Sequence, residues 1–196
     1  MKLRFLLLAL ATIFVASSAR AQGGLYFNPI VTIVHNSTAD TGTYAFLGSG
    51  QTQQIFGGVM IGGYYEVYHA PKFNLGLDLR DEIEHGNNAG LNNLLFSPRF
   101  TYRPADSKLK PYLQISIGEG KTHSPYNPIS YSKFEVGVMV GVDREINRHI
   151  DWRVAEISYG KLQTINSYQV NGSTIGTPIP SASLIEFSTG LVFRIP

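Results

Sequence analysis

The sequence predicts an all-β fold: an eight-stranded antiparallel up-and-down transmembrane β-barrel. Three observations carry this expectation. Eight segments alternate apolar with polar or small residues at a period of two. The connections between these segments alternate short and long. One face of the segments is almost free of charge over four or five consecutive positions, and the other collects charges and glycines. Successive side chains of a strand point to opposite faces, so this alternation separates an apolar surface from a polar one.

The elements follow in chain order. Weaker alternation marks 25–35 and 54–68. Phe73, Leu75, Leu77 and Leu79 then stand against Asn74, Gly76, Asp78 and Arg80. Phe96, Pro98, Phe100 and Tyr102 stand against Ser97, Arg99, Thr101 and Arg103. A fifth segment covers 111–120. The sixth is the clearest, with Phe134, Val136, Val138, Val140 and Val142 against Lys133, Glu135, Gly137, Gly141 and Asp143. In the seventh, 150–160, the phase slips between Arg153 and Ala155, which predicts a bulge. In the eighth, Ile185, Phe187, Leu191, Phe193 and Ile195 oppose Glu186, Ser188, Gly190 and Arg194. Short turns are expected at 69–72, 104–110 and 147–149, and long loops at 36–53, 85–92, 122–130 and 161–183. A meander puts the short turns at one end and the long loops at the other, as outer-membrane barrels do. Strands of about 9–11 residues suffice to cross when tilted.

The composition fits. The chain has 196 residues, 43% hydrophobic and only 15% charged, with 20 glycines and no cysteine. That is one domain with enough apolar residues for a core, and it excludes disorder, a disulfide scaffold and thiolate metal sites. Residues 1–21 read as a cleaved signal peptide: Lys2 and Arg4, an apolar stretch over 5–16, then Ala19-Arg20-Ala21, leaving 22–196 as the barrel domain. The apolar run of about 12 residues is short of the roughly 20 a helical span needs. Removal of Lys2, Arg4 and Arg20 leaves 13 bases against 14 acids, so the mature charge is −1 rather than +2. A basic nucleic-acid surface is not expected.

Alternation alone does not separate a membrane barrel from a soluble lipocalin-like one, because the two differ in which face points outward. The charge-free face favours the membrane. So do Gly58, Gly62, Gly76, Gly118, Gly137, Gly141 and Gly190 on the opposite face, since glycine suits a cramped eight-stranded lumen. Tyr64, Tyr65, Tyr68, Tyr102, Tyr112 and Trp152 lie near strand ends beside the short turns, as an interfacial aromatic girdle would.

Leu109-Lys110-Pro111-Tyr112 opening a strand, the strand over 137–143 and Arg148-His149-Ile150-Asp151-Trp152-Arg153 carry a family likeness. Over about residues 25–195 the chain resembles the eight-stranded outer-membrane barrels of the outer-membrane protein A and X type. Members of that family usually end on an aromatic residue read by the assembly machinery; here Phe193 is followed by Arg194-Ile195-Pro196. The sequence stops at the last strand, so an appended peptidoglycan-binding domain of the outer-membrane protein A kind is not expected. The resemblance implies location in the cell outer membrane of a Gram-negative bacterium. The implied partners are outer-membrane lipid, lipopolysaccharide and, during biogenesis, the barrel-assembly machinery, with a monomeric state and no nucleic acid.

No catalytic, cofactor-binding or metal-ligating set emerges. Gly118-Glu119-Gly120-Lys121-Thr122 looks like the tail of a phosphate loop, but position 115 is Ile115 and no helix follows, so a strand end is expected. His85-Gly86-Asn87-Asn88-Ala89 resembles the His-x-Ser-Asn-Ala motif of outer-membrane lipid A deacylases. Asn87 stands where the nucleophilic serine would be, and 93–103 holds no acid to orient a base, so these are read as turn residues. Histidines 35, 69, 85, 123 and 149 show no ligand spacing. Glu66, Asp78, Arg80, Glu82, Arg99, Arg103, Glu135, Asp143, Glu156, Glu186 and Arg194 fall on the polar face and are expected to pair inside the lumen, because charges away from water must be paired. The expected function is that of a structural or adhesive outer-membrane protein without a general pore. The alternatives are a lipid A-modifying enzyme on the same fold and a soluble periplasmic ligand carrier.

Overall fold

The computed structural model describes residues 23–39, 45–125, 127–164 and 181–195. The expected signal peptide lies outside the described residues. Eight strands follow in order: β1 Gly23–Asn36, β2 Gln53–His69, β3 Phe73–Gly86, β4 Ala89–Tyr102, β5 Leu109–Ser124, β6 Asn127–Glu145, β7 Ile150–Gln163 and β8 Ser181–Ile195. Each pairs antiparallel with its neighbours, and β1 pairs with β8 to close the barrel. Closure leaves no sheet edge, which a sheet in hydrocarbon requires.

The faces are disposed as the alternation predicts. Val136, Val138 and Val140 point outward and are 39–51% exposed, while Glu135 and Asp143 point inward and are at most 2% exposed. Leu75, Leu77 and Leu79 of β3, Phe96 and Phe100 of β4, and Phe187 and Leu191 of β8 continue the same outward belt. So large an apolar surface is compatible with solubility only if lipid covers it.

Two expectations need correction. The expected spans 25–35, 111–120 and 150–160 are too short, since the strands run 14–19 residues. The regions 85–92 and 122–130 are not long loops, because β3 and β4 are joined by Asn87 and Asn88 alone. Both asparagines have positive φ, 46° and 64°, the requirement of a tight hairpin whose twist matches its strands. β5 and β6 are likewise separated by residues 125 and 126 only. Asn92, Asn93, Lys121 and Thr122 are polar but still paired, since beyond the bilayer a strand continues whenever its backbone gains ladder partners. The long connections are therefore 37–52 and 164–180.

The predicted bulge is present. Asp143 pairs with Arg153 and Val142 with Ala155, leaving Val154 as the extra residue. The Thr189 hydroxyl donates to the carbonyls of Arg153 and Val154 at 2.8 and 3.2 Å and takes up the loosened backbone. Two further interruptions fall at outward prolines. The β1–β8 ladder skips Asn28 and Pro29, and the β4–β5 ladder skips Ser97 and Pro98, both without a change of register. Proline has no N–H to offer a ladder.

The meander places 37–52 and 103–108 at opposite ends. An epitope inserted between Ser49 and Gly50 should be labelled on intact cells, and one between Asp106 and Ser107 only after the membrane is breached. The reverse pattern would overturn the orientation.

Candidate functional site

Among the described residues, polar chemistry is concentrated in the lumen, and it is organised in levels. At the inner end, Lys110 pairs with Asp151 at 2.9 Å and with Glu145 at 3.2 Å, and Arg194 reaches the same two acids at 3.3 Å each. Beside them Glu66 accepts from the Asn74 amide at 2.6 Å and meets His69 at 3.2 Å.

The next level interleaves three arginines with three tyrosines. Arg80 pairs with Asp78 at 3.1 Å and Glu156 at 2.7 Å, and donates to Gln114 at 2.7 Å. Arg99 pairs with Asp143 at 2.7 Å. Arg153 lies 3.2 Å from Asp143 and 3.5 Å from Glu156. The Tyr26 hydroxyl donates to Asp78 and the Tyr112 hydroxyl to Glu156, at 2.8 and 2.5 Å. The Arg99 guanidinium lies 3.7 Å from the Tyr112 ring centre and 4.3 Å from that of Tyr64, and Arg153 lies 4.3 Å from that of Tyr26. Cations over ring faces gain most where water is excluded.

These rings fit because each lies across a glycine on the adjoining strand. Tyr26 pairs with Gly62 and Tyr112 with Gly141. A Cβ at Gly62 would come 2.5 Å from the Tyr26 hydroxyl, and one at Gly141 would come 2.3 Å from the Tyr112 ring. Gly24 serves Tyr64 in the same way.

Above this level Glu82, Glu84, Glu135 and Glu186 face the lumen, with Asn93, Thr32 and Ser158 beside them. An apolar cap of Val34, Phe56, Ala89, Leu91, Leu162, Ala182 and Leu184 closes the outer end. Phe46 and Leu47 fold into it from the 37–52 connection, with Phe46 stacked on Phe56 at 5.3 Å. That connection is therefore partly a plug, held also by the Ser124 hydroxyl donating to the Ala45 carbonyl at 3.2 Å.

Of the charged residues expected inside, all but one are placed there. Arg103 falls just past the end of β4, in the 103–108 connection. Arg153, Glu84, Lys110 and Asp151 also belong to the lumen and were not anticipated. Tyr64 and Tyr112 are a correction too: they fill the lumen, and Tyr68, Tyr102 and Trp152 form the outward girdle. The phase was the available signal, since Tyr64 shares its parity with Gly62 and Glu66, and Tyr112 with Gln114.

The other motifs carry no assembled chemistry. Gly118 to Thr122 lies within β5, as expected of a strand. His85 and His123 flank Gly90 across three strands at the outer end and line a shallow open depression with Asn87 and Asn88. The His85 ring has no hydrogen-bond partner among the described residues. No three histidine or carboxylate side chains among the described residues converge on a metal position.

A closed barrel of eight tilted strands, apolar outside and ion-paired within, defines an integral outer-membrane β-barrel protein. The chain belongs to the outer membrane protein β-barrel domain family, whose sequence profile matches residues 5–177. Its fold is similar to that of neisserial surface protein A, with a TM-score of 0.52 and 13% identity over 88% of this chain and 99% of that one. It is also similar to the attachment invasion locus protein Ail of Yersinia pestis, at a TM-score of 0.49 and 11% identity over 90% of this chain and 99% of that one. The outer membrane enzyme PagL matches at 0.41 and 16% identity over 85% of this chain and 99% of that one. No curated protein sequence matches the chain.

Proposed function

We propose that the protein is a non-conducting, non-enzymatic outer-membrane barrel with a structural or adhesive role exercised through its outer end. The observation that carries this reading is the filled lumen. The inner ion pairs, the arginine–tyrosine level and the apolar cap follow one another along the axis. An eight-stranded barrel is only wide enough for its own side chains. What remains for contact with the surroundings is the outward belt and the connections 37–52 and 164–180. The belt would be met by outer-membrane lipid and lipopolysaccharide, and the chain would act as a monomer once the assembly machinery has inserted it. Against an enzyme, Asn87 cannot form an acyl intermediate, and among the described residues neither a nucleophile nor an orienting acid is bonded to His85.

Reconstituted in planar bilayers, the refolded protein should give no stable single-channel steps. Large, steady steps from the monomer would show an open lumen and sink the reading. For the adhesive role, cells displaying the barrel should bind a target surface in a way lost when 37–52 is replaced by a short glycine–serine linker. Binding that survives that replacement and the equivalent one at 164–180 would remove the outer connections from the mechanism.

A further inference from the structure

The upper lumen holds four carboxylates for which the described residues supply too few bases. Glu82 and Glu84 of β3, Glu135 of β6 and Glu186 of β8 are each at most 4% exposed. In the level below, Arg80, Arg99 and Arg153 are matched by Asp78, Asp143 and Glu156. Arg80 does come within 3.8 Å of Glu82, but its shorter contacts go to Asp78 and Glu156. The remaining walls contribute Thr32 from β1, Phe56 and Gly58 from β2, Asn93 from β4, Gly118, Gly120 and Thr122 from β5, and Glu156 and Ser158 from β7. Lys133, two residues from Glu135, is half-buried and makes no ion pair among the described residues. Even if Arg80 and Lys133 each offset one charge, two of the four acids have no base.

A second feature points to what occupies the chamber. Glu82 Oε1, Glu84 Oε2, Glu135 Oε2 and Asn93 Oδ1 are buried acceptors with no donor. Asn93 is fully buried, and its Oδ1 borders the same space beside Gly120 as Glu135 Oε2, 3.0 and 2.8 Å from where a Cβ on that glycine would lie. A buried acceptor left without a donor carries the full cost of its lost hydration unless a hydrogen is supplied to it. A metal ion would need several oxygens to converge, and among the described residues they do not. Hydrogen bonds from Thr32 to Glu84, Ser158 to Glu186 and Asn93 to Glu82 each satisfy one oxygen of a carboxylate and leave the other oxygens of Glu82 and Glu84 without a donor. A proton needs only a pair.

We propose that the upper lumen is a proton-binding chamber, in which Glu82, Glu84, Glu135 and Glu186 share at least two protons at neutral pH. Isolated buried carboxylates are too costly to remain charged, and sharing protons turns unpaired acceptors into donors. The chamber is shut from the outer side by the apolar cap and from the inner side by the arginine level, so its protons are taken up as the barrel folds.

The sign of the pH dependence follows. Unfolded glutamates ionise above about pH 4.3, whereas the folded chamber keeps its protons, so above about pH 5 the unfolded state binds fewer. Stability should therefore fall as the pH rises. With two protons at stake, the folding equilibrium constant should drop on the order of 100-fold per pH unit.

The test is urea unfolding of the full barrel in lipid vesicles at intervals from pH 5 to pH 8. In the combined Glu82→Gln, Glu84→Gln, Glu135→Gln and Glu186→Gln variant, the slope should vanish. Infrared spectra of the unaltered barrel at pH 7 should show the carbonyl band of protonated carboxyl groups, and this decides the matter if the variant fails to fold. Stability that is flat or rises with pH, a slope retained in the quadruple variant, or absence of the band overturns the proposal. So would a barrel lacking the band that is stabilised by added calcium, which would assign the chamber to a metal ion.

Discussion

Replacing Arg80 with methionine should destabilise the folded barrel by about 3–5 kcal/mol, the cost of leaving the partners of a buried charge unmatched. Methionine preserves most of the stem and removes only the guanidinium, so the loss is electrostatic rather than a cavity. Asp78 would keep the Tyr26 hydroxyl alone, and Glu156 would keep Tyr112 and the longer contact to Arg153. Gln114 would lose its 2.7 Å donor. Urea unfolding in vesicles measures the cost. Adding Glu156→Gln to the same chain should recover part of it, because the uncompensated acid is then neutral; a double-mutant cycle isolates that coupling. A loss below about 1 kcal/mol, the size of a solvent-exposed pair, would show that water fills the lumen around Arg80.

Val138→Arg should cost about 2–4 kcal/mol, the penalty for a cation at the bilayer midplane on the lipid face of a barrel. Val138 is the third of five outward apolar residues on β6 and sits between Ile115 of β5 and Tyr159 of β7. All three point to lipid, so a guanidinium there has no acid beside it and a long way to either interface. The same substitution at Ser132, two pairs outward of the belt, should cost roughly 0–1 kcal/mol, since the penalty fades toward the interfaces. Equal costs at both sites, read from unfolding in vesicles, would remove lipid as the origin of the effect.

These two experiments probe the two faces that the alternation separated. Strand number, the closed meander and the inward or outward sense of nearly every strand residue were legible because a period of two assigns sides without reference to contacts. Even the bulge at Val154 showed as a slip of phase. Strand ends were less legible. Asn92, Lys121 and Thr122 carry no hydrophobic signal, and their strand state comes from ladder partners on neighbouring strands. Asn87 and Asn88 were recognisable as turn residues, but only the pairing of Gly86 with Ala89 shows how tight the turn is.

The candidate site divides along the same line. Which charges enter the lumen is a matter of parity and was readable for Asp78, Arg80, Glu135 and Glu186. Which of them meet depends on the stagger of eight strands, a property no single strand contains. Arg80 finds Glu156 across 76 residues and Arg99 finds Asp143 across 44. The same stagger gathers Glu82, Glu84, Glu135 and Glu186 just above the arginine level, with Arg80 3.8 Å from Glu82, and lays Tyr26 over Gly62 and Tyr112 over Gly141. The sequence by itself determined that this chain closes as an apolar-faced barrel with a charged interior, because side-chain direction in a strand is local. Only the tertiary structure decided which charges are neutralised and which are left over, because register sets the height of each residue along the barrel axis.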